Sequence, residues 1–464
     1  MAKYSKGAYF ITSAQAVGDY DVKRGRTKGA PNKRLLTSIK TFLKHKGAEL
    51  SILTMNGKDA TEQEMHPELT KYYGDRIIRP EHRNRKLNSN VAISDMVVPP
   101  QNVDPATGRA RFVQTDTSLV YAHSKQRLKA VPSSNAKLPK LLATTGAVTY
   151  PNYNEHNHRG DVAAREHAFG GVVIEVIDDE HYNLRHIGAL GTGKFVDMGW
   201  MYDGDNSPTK AKTTALVLGD IHLGDHDPKT MAANYEMIEG FKPKMLVLHD
   251  FFNGHSITHH EKNDAITRAI NFERGRLGLE EELKTAYQEL CHFSKAMGRG
   301  HVYVVACNHH RFVQDYLQDG RFINEPWNAK VGAKLATAMI DGTDPVEAGI
   351  KMMGKVPKNV SFLEREDDLK VWGFQLASHG DKGLSGSRVS SAASREIAHG
   401  KSITGHSHAP EILRKTIIVG TSTKLVLPYT IGGANSWMAA NAVIYDNGLA
   451  QLVPIIDGKW KGKN

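Results

Sequence analysis

Between positions 219 and 408 the chain carries five short blocks of metal-ligand residues, each set behind an apolar run of strand length. The run Ala215–Gly219 leads into Asp220-Ile221-His222, Met245–Leu248 into His249-Asp250, Val302–Ala306 into Cys307-Asn308-His309, Val371–Ala377 into Ser378-His379, and Ser402–Gly405 into His406-Ser407-His408. In extended chain alternate side chains point the same way, so the D-x-H and H-x-H spacings can each aim a pair at one point. Asp, His and Asn offer oxygen and nitrogen donors without thiolate. That set suits Mn, Fe, Co, Ni or Zn and is unlike a cysteine-type structural zinc site. With one carboxylate bridging, these donors suffice for two ions, and a binuclear centre can hold a phosphoryl oxygen, acidify water and steady a leaving oxygen. One such pair means little in a chain with 23 histidines, and His259-His260 reads as surface. Five ordered blocks, each at the end of an apolar run, mean a site.

The apolar runs alternate with helical segments around Met231–Gly240 and Asn263–Ala296, the second with Leu277, Leu283, Tyr287 and Leu290 at helical spacing. Buried strands alternating with helices predict an α/β fold that presents polar residues at strand C-termini. From Lys415 the chain reads as several strands with Gly/Asn turns. Upstream, Ala8–Ser13, Lys33–Lys46 and Glu49–Thr54 read as a β-α-β unit whose helix puts Leu35, Leu36, Ile39 and Leu43 on one face. Arg79–Lys140 breaks into Pro-, Asn- and Arg/Lys-rich stretches that read as long loops, and Gly170–Asp178 with Asn183–Leu190 as a strand pair. The turn composition of Asp203–Pro208 marks a linker. Two domains follow, 1–205 and 213–464, in a chain whose 464 residues exceed one compact core.

Apolar residues at 40% and charged residues at 24% describe a soluble globular protein. Two cysteines, Cys291 and Cys307, exclude a disulfide framework, and no apolar run has signal-peptide or membrane-spanning length, so a cytoplasmic protein without membrane insertion is expected. The net charge of +10 is concentrated near the start, where the first 50 residues hold 11 basic and 3 acidic side chains. A localised basic patch attracts polyanions. Lys23, Arg24, Arg26 and Lys28 are the expected DNA contacts, with Lys125, Arg127, Lys129, Lys137 and Lys140 extending the charge. A homo-oligomeric contact is the other role open to this region.

Taken together, the five blocks resemble the signature of the calcineurin-like metallophosphoesterase superfamily: D-x-H, G-D-x-x-D/N/H, G-N-H-D/E, an isolated H, and G-H-x-H. They stand here as Gly219-Asp220-Ile221-His222, His249-Asp250-Phe251-Phe252-Asn253, Cys307-Asn308-His309-His310, Ser378-His379-Gly380 and Gly405-His406-Ser407-His408. The resemblance implies a four-layer α-β-β-α sandwich, preceded here by a smaller basic α/β domain, and two divalent metal ions per chain with Mn first among the candidates. It implies Asp220, His222 and His408 on the first metal, Asn308, His379 and His406 on the second, Asp250 bridging, and His309 beside the leaving group as general acid or transition-state stabiliser. His249 and Cys307 replace glycines of the pattern. His310 replaces an acid that orients the catalytic histidine, so Asp381 or Asp225 is expected to fix the tautomer of His309.

The superfamily spans nucleases, protein phosphatases, cyclic-nucleotide phosphodiesterases and nucleotide hydrolases. Three features favour a DNA nuclease: the basic N-terminal region, the cations Arg311, Lys382 and Arg388 placed after His309 and His379 to grip phosphates, and helical insertions near 263–298 and 315–353 that form a cap. A looser likeness to phage-encoded nucleases and early DNA-transfer proteins of this superfamily points the same way. A protein or nucleotide phosphatase is the main alternative. A catalytically silent scaffold is the other, and the complete ligand set argues against it.

Overall fold

The computed structural model describes residues 7–461 apart from 60, 83, 114–116, 135–138 and 388–390. Among these residues the chain is a mixed α/β protein with ten α-helices and three large sheets of eight, ten and six strands. The expected β-α-β unit opens it. Gly7–Gln15 pairs in parallel with Ala48–Met55, and the helix Lys33–Lys46 crosses between them. Asn32 starts that helix by accepting the Leu35 N–H at 3.1 Å, and Gly47 ends it in the left-handed conformation at φ 62°. Its buried face holds Leu35, Leu36, Ile39 and Phe42, with Leu43 only partly covered. The strand pair is present as Phe169–Val176 against Tyr182–Ala189, in the same eight-stranded sheet.

The six-stranded sheet has the order Val360–Leu363, His301–Val305, Met245–Leu248, Thr213–Val217, Ala440–Tyr445, Ala450–Pro454, and its first four strands run parallel. Successive residues of Thr213–Val217 face opposite layers. Leu216 joins a core made with the helices Pro228–Phe241 and Leu279–Met297, while Ala215 and Val217 join a second core shared with the other two sheets. The ten-stranded sheet forms the far wall of that second core, and the helix Ala392–His399 packs its Ala392 on Leu413 and Ile418 of that sheet.

Two expectations are corrected here. The segment 79–140 is not loops alone: beside a long connection over 94–113, Arg85–Lys86, Val91–Ile93, Ser118–Tyr121, Arg127–Val131 and Lys140–Thr144 are five of the ten strands just described. They join Glu411–Leu413 through Arg127–Val131, with Leu128 opposite Ile412. A boundary at 205–213 therefore does not separate the sheets. These strands are two to five residues long, too short for a period to register, and Arg127–Val131 meets its partner Glu411–Leu413 some 285 positions away. Two of the segment's cations are structural. Arg127 is buried at the junction between Asp104, at 3.0 Å, and Glu411, at 2.7 Å, and Lys125 is buried against Glu166 at 2.5 Å. Lys137 lies outside the described residues.

The same region stores acid sensitivity. His123 donates from Nε2 to the Pro99 carbonyl and His186 donates to the Thr144 carbonyl, both rings buried and neutral. Burial pushes their pKa values down to about 3 and about 4. The unfolded chain, with histidines near 6.5, takes up these protons first. Stability is thus complete above about pH 6.5 and falls as pH drops towards 4, at about 1.4 kcal/mol per pH unit for each group. Urea unfolding of the chelated protein is expected to lose about 2.4 kcal/mol between pH 6 and 5 from this pair, and His186→Gln should flatten that slope. Equal midpoints at the two pH values would refute it.

Candidate metal centre

Three parallel neighbours of the six-stranded sheet end on the same edge, and the chain beyond each delivers a donor: Asp220 after Thr213–Val217, Asp250 after Met245–Leu248, Asn308 after His301–Val305. Ligand sites of open parallel sheets lie at this edge because loops diverge there. Backbone bonds continue past the strand ends and tie the loops together. Ile221 N–H donates to the His249 carbonyl at 3.1 Å and His222 N–H to that of Asp250 at 2.7 Å. Gly405 N–H donates to the His379 carbonyl at 2.9 Å, joining the last two blocks. Gly405 itself must lack a side chain, since a Cβ there would lie 2.0 Å from Asp220 Oδ1.

The side chains converge. Asp220, His222, Asp250 and His408 form one group whose donor atoms all lie within 4.8 Å of one another, and Asp250, His379 and His406 form a second. Asp250 belongs to both: its Oδ2 is 3.4 Å from His222 Nε2 and 3.0 Å from His379 Nε2. His408 Nε2 lies 3.4 Å from Asp220 Oδ2 and 2.9 Å from His222 Nε2. Six of the seven sequence-derived ligands are therefore assembled in two overlapping sets. The seventh, Asn308, opens the helix Asn308–Gln318 with its Oδ1 buried.

These residues fit a cation. Asp220 Oδ1, Asp250 Oδ1, Asn308 Oδ1 and His379 Nε2 are buried without a hydrogen-bond partner among the described residues, a rare state for polar atoms. His379 Nε2 is close to the Asp250 carboxylate yet not aligned to bond with it, as expected when both aim at a point between them. Burial and the neighbouring Asp250 carboxylate push Asp220 up to about 8. Burial also opposes the charge on Asp250, but the imidazoles of His379, His309 and His222 outweigh it and hold that carboxyl well below its usual range. Positive charge placed between the two acids would let both ionise. Burial takes His222 and His406 down to about 4 and holds His408 well below its usual range, which keeps the neutral imidazole that coordination requires.

Local strain marks the same place. Among the described residues ten non-glycines have positive φ, and four of them are His222, Asp250, His406 and His408, at 47°, 41°, 78° and 57°. Such conformations persist where surrounding structure over-determines them. Part of that support comes from Arg395, which the sequence reading missed. Its buried guanidinium bonds Thr404 Oγ1 and the carbonyls of Gly405, at 3.2 Å, and Gly380, at 3.0 Å, clamping the His379 and His406 loops. No spacing rule points to it. His249 was read as a departure at a glycine position. Its buried ring in fact stands behind His379, with the two Nδ1 atoms 3.4 Å apart.

His309 lies on the rim, its ring 4.5 Å from that of His222. Its Nδ1–H donates to the Asn253 carbonyl, which fixes the tautomer and leaves Nε2 as the free end. Neither expected acid does this directly. Asp381 pairs with Arg365 at 2.6 Å. Asp225 acts one step back, accepting from Asn253 Nδ2 at 2.8 Å and from Arg276 at 2.9 Å. His310 turns away, its Nδ1 3.4 Å from Asp344 Oδ1.

Arg311 and Lys382 line one cleft of about 670 Å³ together with Arg365 and His379, while Arg388 lies outside the described residues. The N-terminal patch is less open than its composition implies. Arg24 bonds both oxygens of Glu155, at 2.9 and 2.7 Å, and Asp21 at 2.6 Å; Arg26 stacks 3.8 Å over the Tyr150 ring; Lys28 donates to the Tyr153 carbonyl at 3.3 Å. Lys23 is exposed.

Fold and site thus define a mixed α/β protein with a buried Asp/His cluster able to hold a metal ion. No family model matches the chain, and no solved structure does. It is similar to Protein A1 of Escherichia phage T5, with 23% identity over 490 residues that take in 96% of this chain and 85% of that protein, which supports a phage origin. No helix among the described residues is long and apolar enough to cross a membrane.

Proposed function

We propose that the chain is a two-metal phosphodiesterase of the calcineurin-like type and that its substrate is DNA. The observation that carries this reading is Asp250, one carboxylate common to two Asp/His groups at the strand ends. The layering agrees with the sandwich of that superfamily: helices, six-stranded sheet, ten-stranded sheet, helix. Divalent ions bound here would supply Lewis acidity to a phosphoryl oxygen and to the attacking water. The chain's own residues do the rest. His309, held at Nδ1 by Asn253, presents Nε2 to carry a proton to the departing oxygen. Arg311 and Lys382, on the cleft that reaches His379, hold flanking phosphates in register. DNA binding is assigned to these cleft cations rather than to the Lys23–Lys28 patch, whose arginines and Lys28 already have internal partners.

Linear DNA, circular DNA, a phosphoserine peptide and an aryl phosphodiester, each with Mn²⁺ or chelator, test the reading. Cleavage of DNA and of the aryl diester with Mn²⁺, and of neither with chelator, is expected. Cleavage that survives chelation, or dephosphorylation of the peptide with DNA untouched, would overturn it.

A further inference from the structure

Rings lead outward from the candidate centre across the cap. On the helix Asn308–Gln318, Phe312 follows His309 by one turn, their ring centroids 4.5 Å apart. Phe312 meets His259 at 5.0 Å and His260 at 5.9 Å, and those two rings lie 3.9 Å from each other. The positions are fixed. Phe312 sits against Gly254, at φ 71°, where a Cβ would come within 3.3 Å of its ring. The turn His259–Glu261 is capped by Thr258 and tied by Asn271, which donates to Glu261 at 2.8 Å.

Asn271 belongs to the helix Ala265–Glu273, which is built inside out. Arg268 on its inner side bonds Glu325 at 2.6 Å, Ile266 on its outer side is 73% exposed, and the helix buries none of its residues. At its end Phe272, 56% exposed, and Trp327, 43% exposed, have centroids 5.6 Å apart. His259 and His260 are exposed as well, whereas Phe312 is half-buried against the helical core and anchors the inner end. Exposed cations accompany them: Lys262 beside His260, Arg274 beside Phe272, and Arg311 beside Phe312. Lys262 and Arg311 have surface acid partners at 3.7 and 3.3 Å; such pairs are weak and a phosphate can displace them.

We infer that this track of rings and cations binds single-stranded DNA, its bases stacking on Phe312, His259, His260, Phe272 and Trp327 while the backbone runs to the metal centre. The inference rests on the nuclease reading above and adds a strand preference to it. Duplex bases are stacked on each other and hide their faces, whereas bases of a single strand can lie on protein rings with little regard to sequence.

The test is binding of the full chain, in chelator to prevent turnover, to an oligothymidine strand carrying one aminopurine and to the same strand in duplex. The parent should quench the aminopurine and bind the single strand at least about tenfold more tightly than the duplex. Phe312→Ala, His259→Ala/His260→Ala and Phe272→Ala/Trp327→Ala should each weaken single-strand binding by about tenfold and relieve quenching, with duplex binding unchanged; the two double variants, whose rings are exposed, should also keep the parental melting temperature. The last pair is remote from the centre and controls for misfolding. Equal affinity of the parent for both forms, or unaltered binding by all three variants, overturns the track. If Mn²⁺-loaded parent cleaves DNA while the variants bind normally, the track alone fails; if it dephosphorylates peptides and leaves DNA intact, the nuclease reading fails and takes the track with it.

Discussion

Asp250→Asn is expected to leave the protein with less than one ion per chain under conditions that load the parent with two, and to lower phosphodiester cleavage by at least about a thousandfold, the several kcal/mol that a Lewis-acid pair contributes. The size follows from the sharing. Oδ2 of this one residue is within 3.4 Å of His222 on one side and 3.0 Å of His379 on the other, so its loss opens both groups. His222→Ala, which touches one group, should lose metal and activity less completely. A second readout separates the bridge from a packing role. In the metal-free protein Asp220 and Asp250 share a buried site, and burial together with the Asp250 charge raises the proton affinity of Asp220. The Asn variant gives up the imidazole contacts that favour an ionised Asp250, so the readout is the Mn²⁺ increment: the variant should lose the stabilisation that Mn²⁺ gives the parent over its own chelated form, whereas a packing role alone would leave that increment intact. Elemental analysis finding two ions in an active Asn variant would end the bridging assignment.

How far the sequence reaches is set by the range of the interactions. Donors at strand ends are local: an apolar run and the residue after it are adjacent in the chain, and Asp220, Asp250, His379, His406 and His408 could be picked out for that reason. The helix Lys33–Lys46 was legible because its apolar residues fall on one face, and Asn32 and Gly47 close it at those bounds. The single helical segment expected over 263–296 is instead two helices, Ala265–Glu273 and Leu279–Met297, broken around Gly275 at φ 66°. Long-range pairing was invisible. Nothing near Leu128 announces that it will lie opposite Ile412, and Arg85–Lys86 and Val91–Ile93 are too short to show a period, so these strands looked like loops. The orientation of His309 was hidden for another reason: a backbone carbonyl does that work, and every residue has one. Charge counts misled where partners were distant, since Arg24 and Arg127 are neutralised by Glu155 and Glu411, residues far along the chain.

His309→Ala is expected to retain both ions and still lose about 10²- to 10⁴-fold in turnover on DNA, the range of a positioned proton donor. Metal retention follows from its place. His309 is outside both ligand groups, although its ring stands 4.5 Å from His222. The dependence on leaving group is the sharper readout. The oxygen departing from a sugar is a poor leaving group and needs a proton, whereas an activated aryloxide needs little help, so the loss should be far smaller on the aryl diester. Asp225→Asn should show the same pattern in milder form. Asp225 positions Asn253 through a 2.8 Å bond, and the Asn253 carbonyl in turn holds His309 Nδ1. His310→Gln should not show it, because that ring faces Asp344 and has no part in orienting its neighbour. Equal losses of His309→Ala on DNA and on the aryl diester, or loss of an ion, would make His309 a structural residue or a ligand. The proton would then have to reach the departing oxygen from solvent.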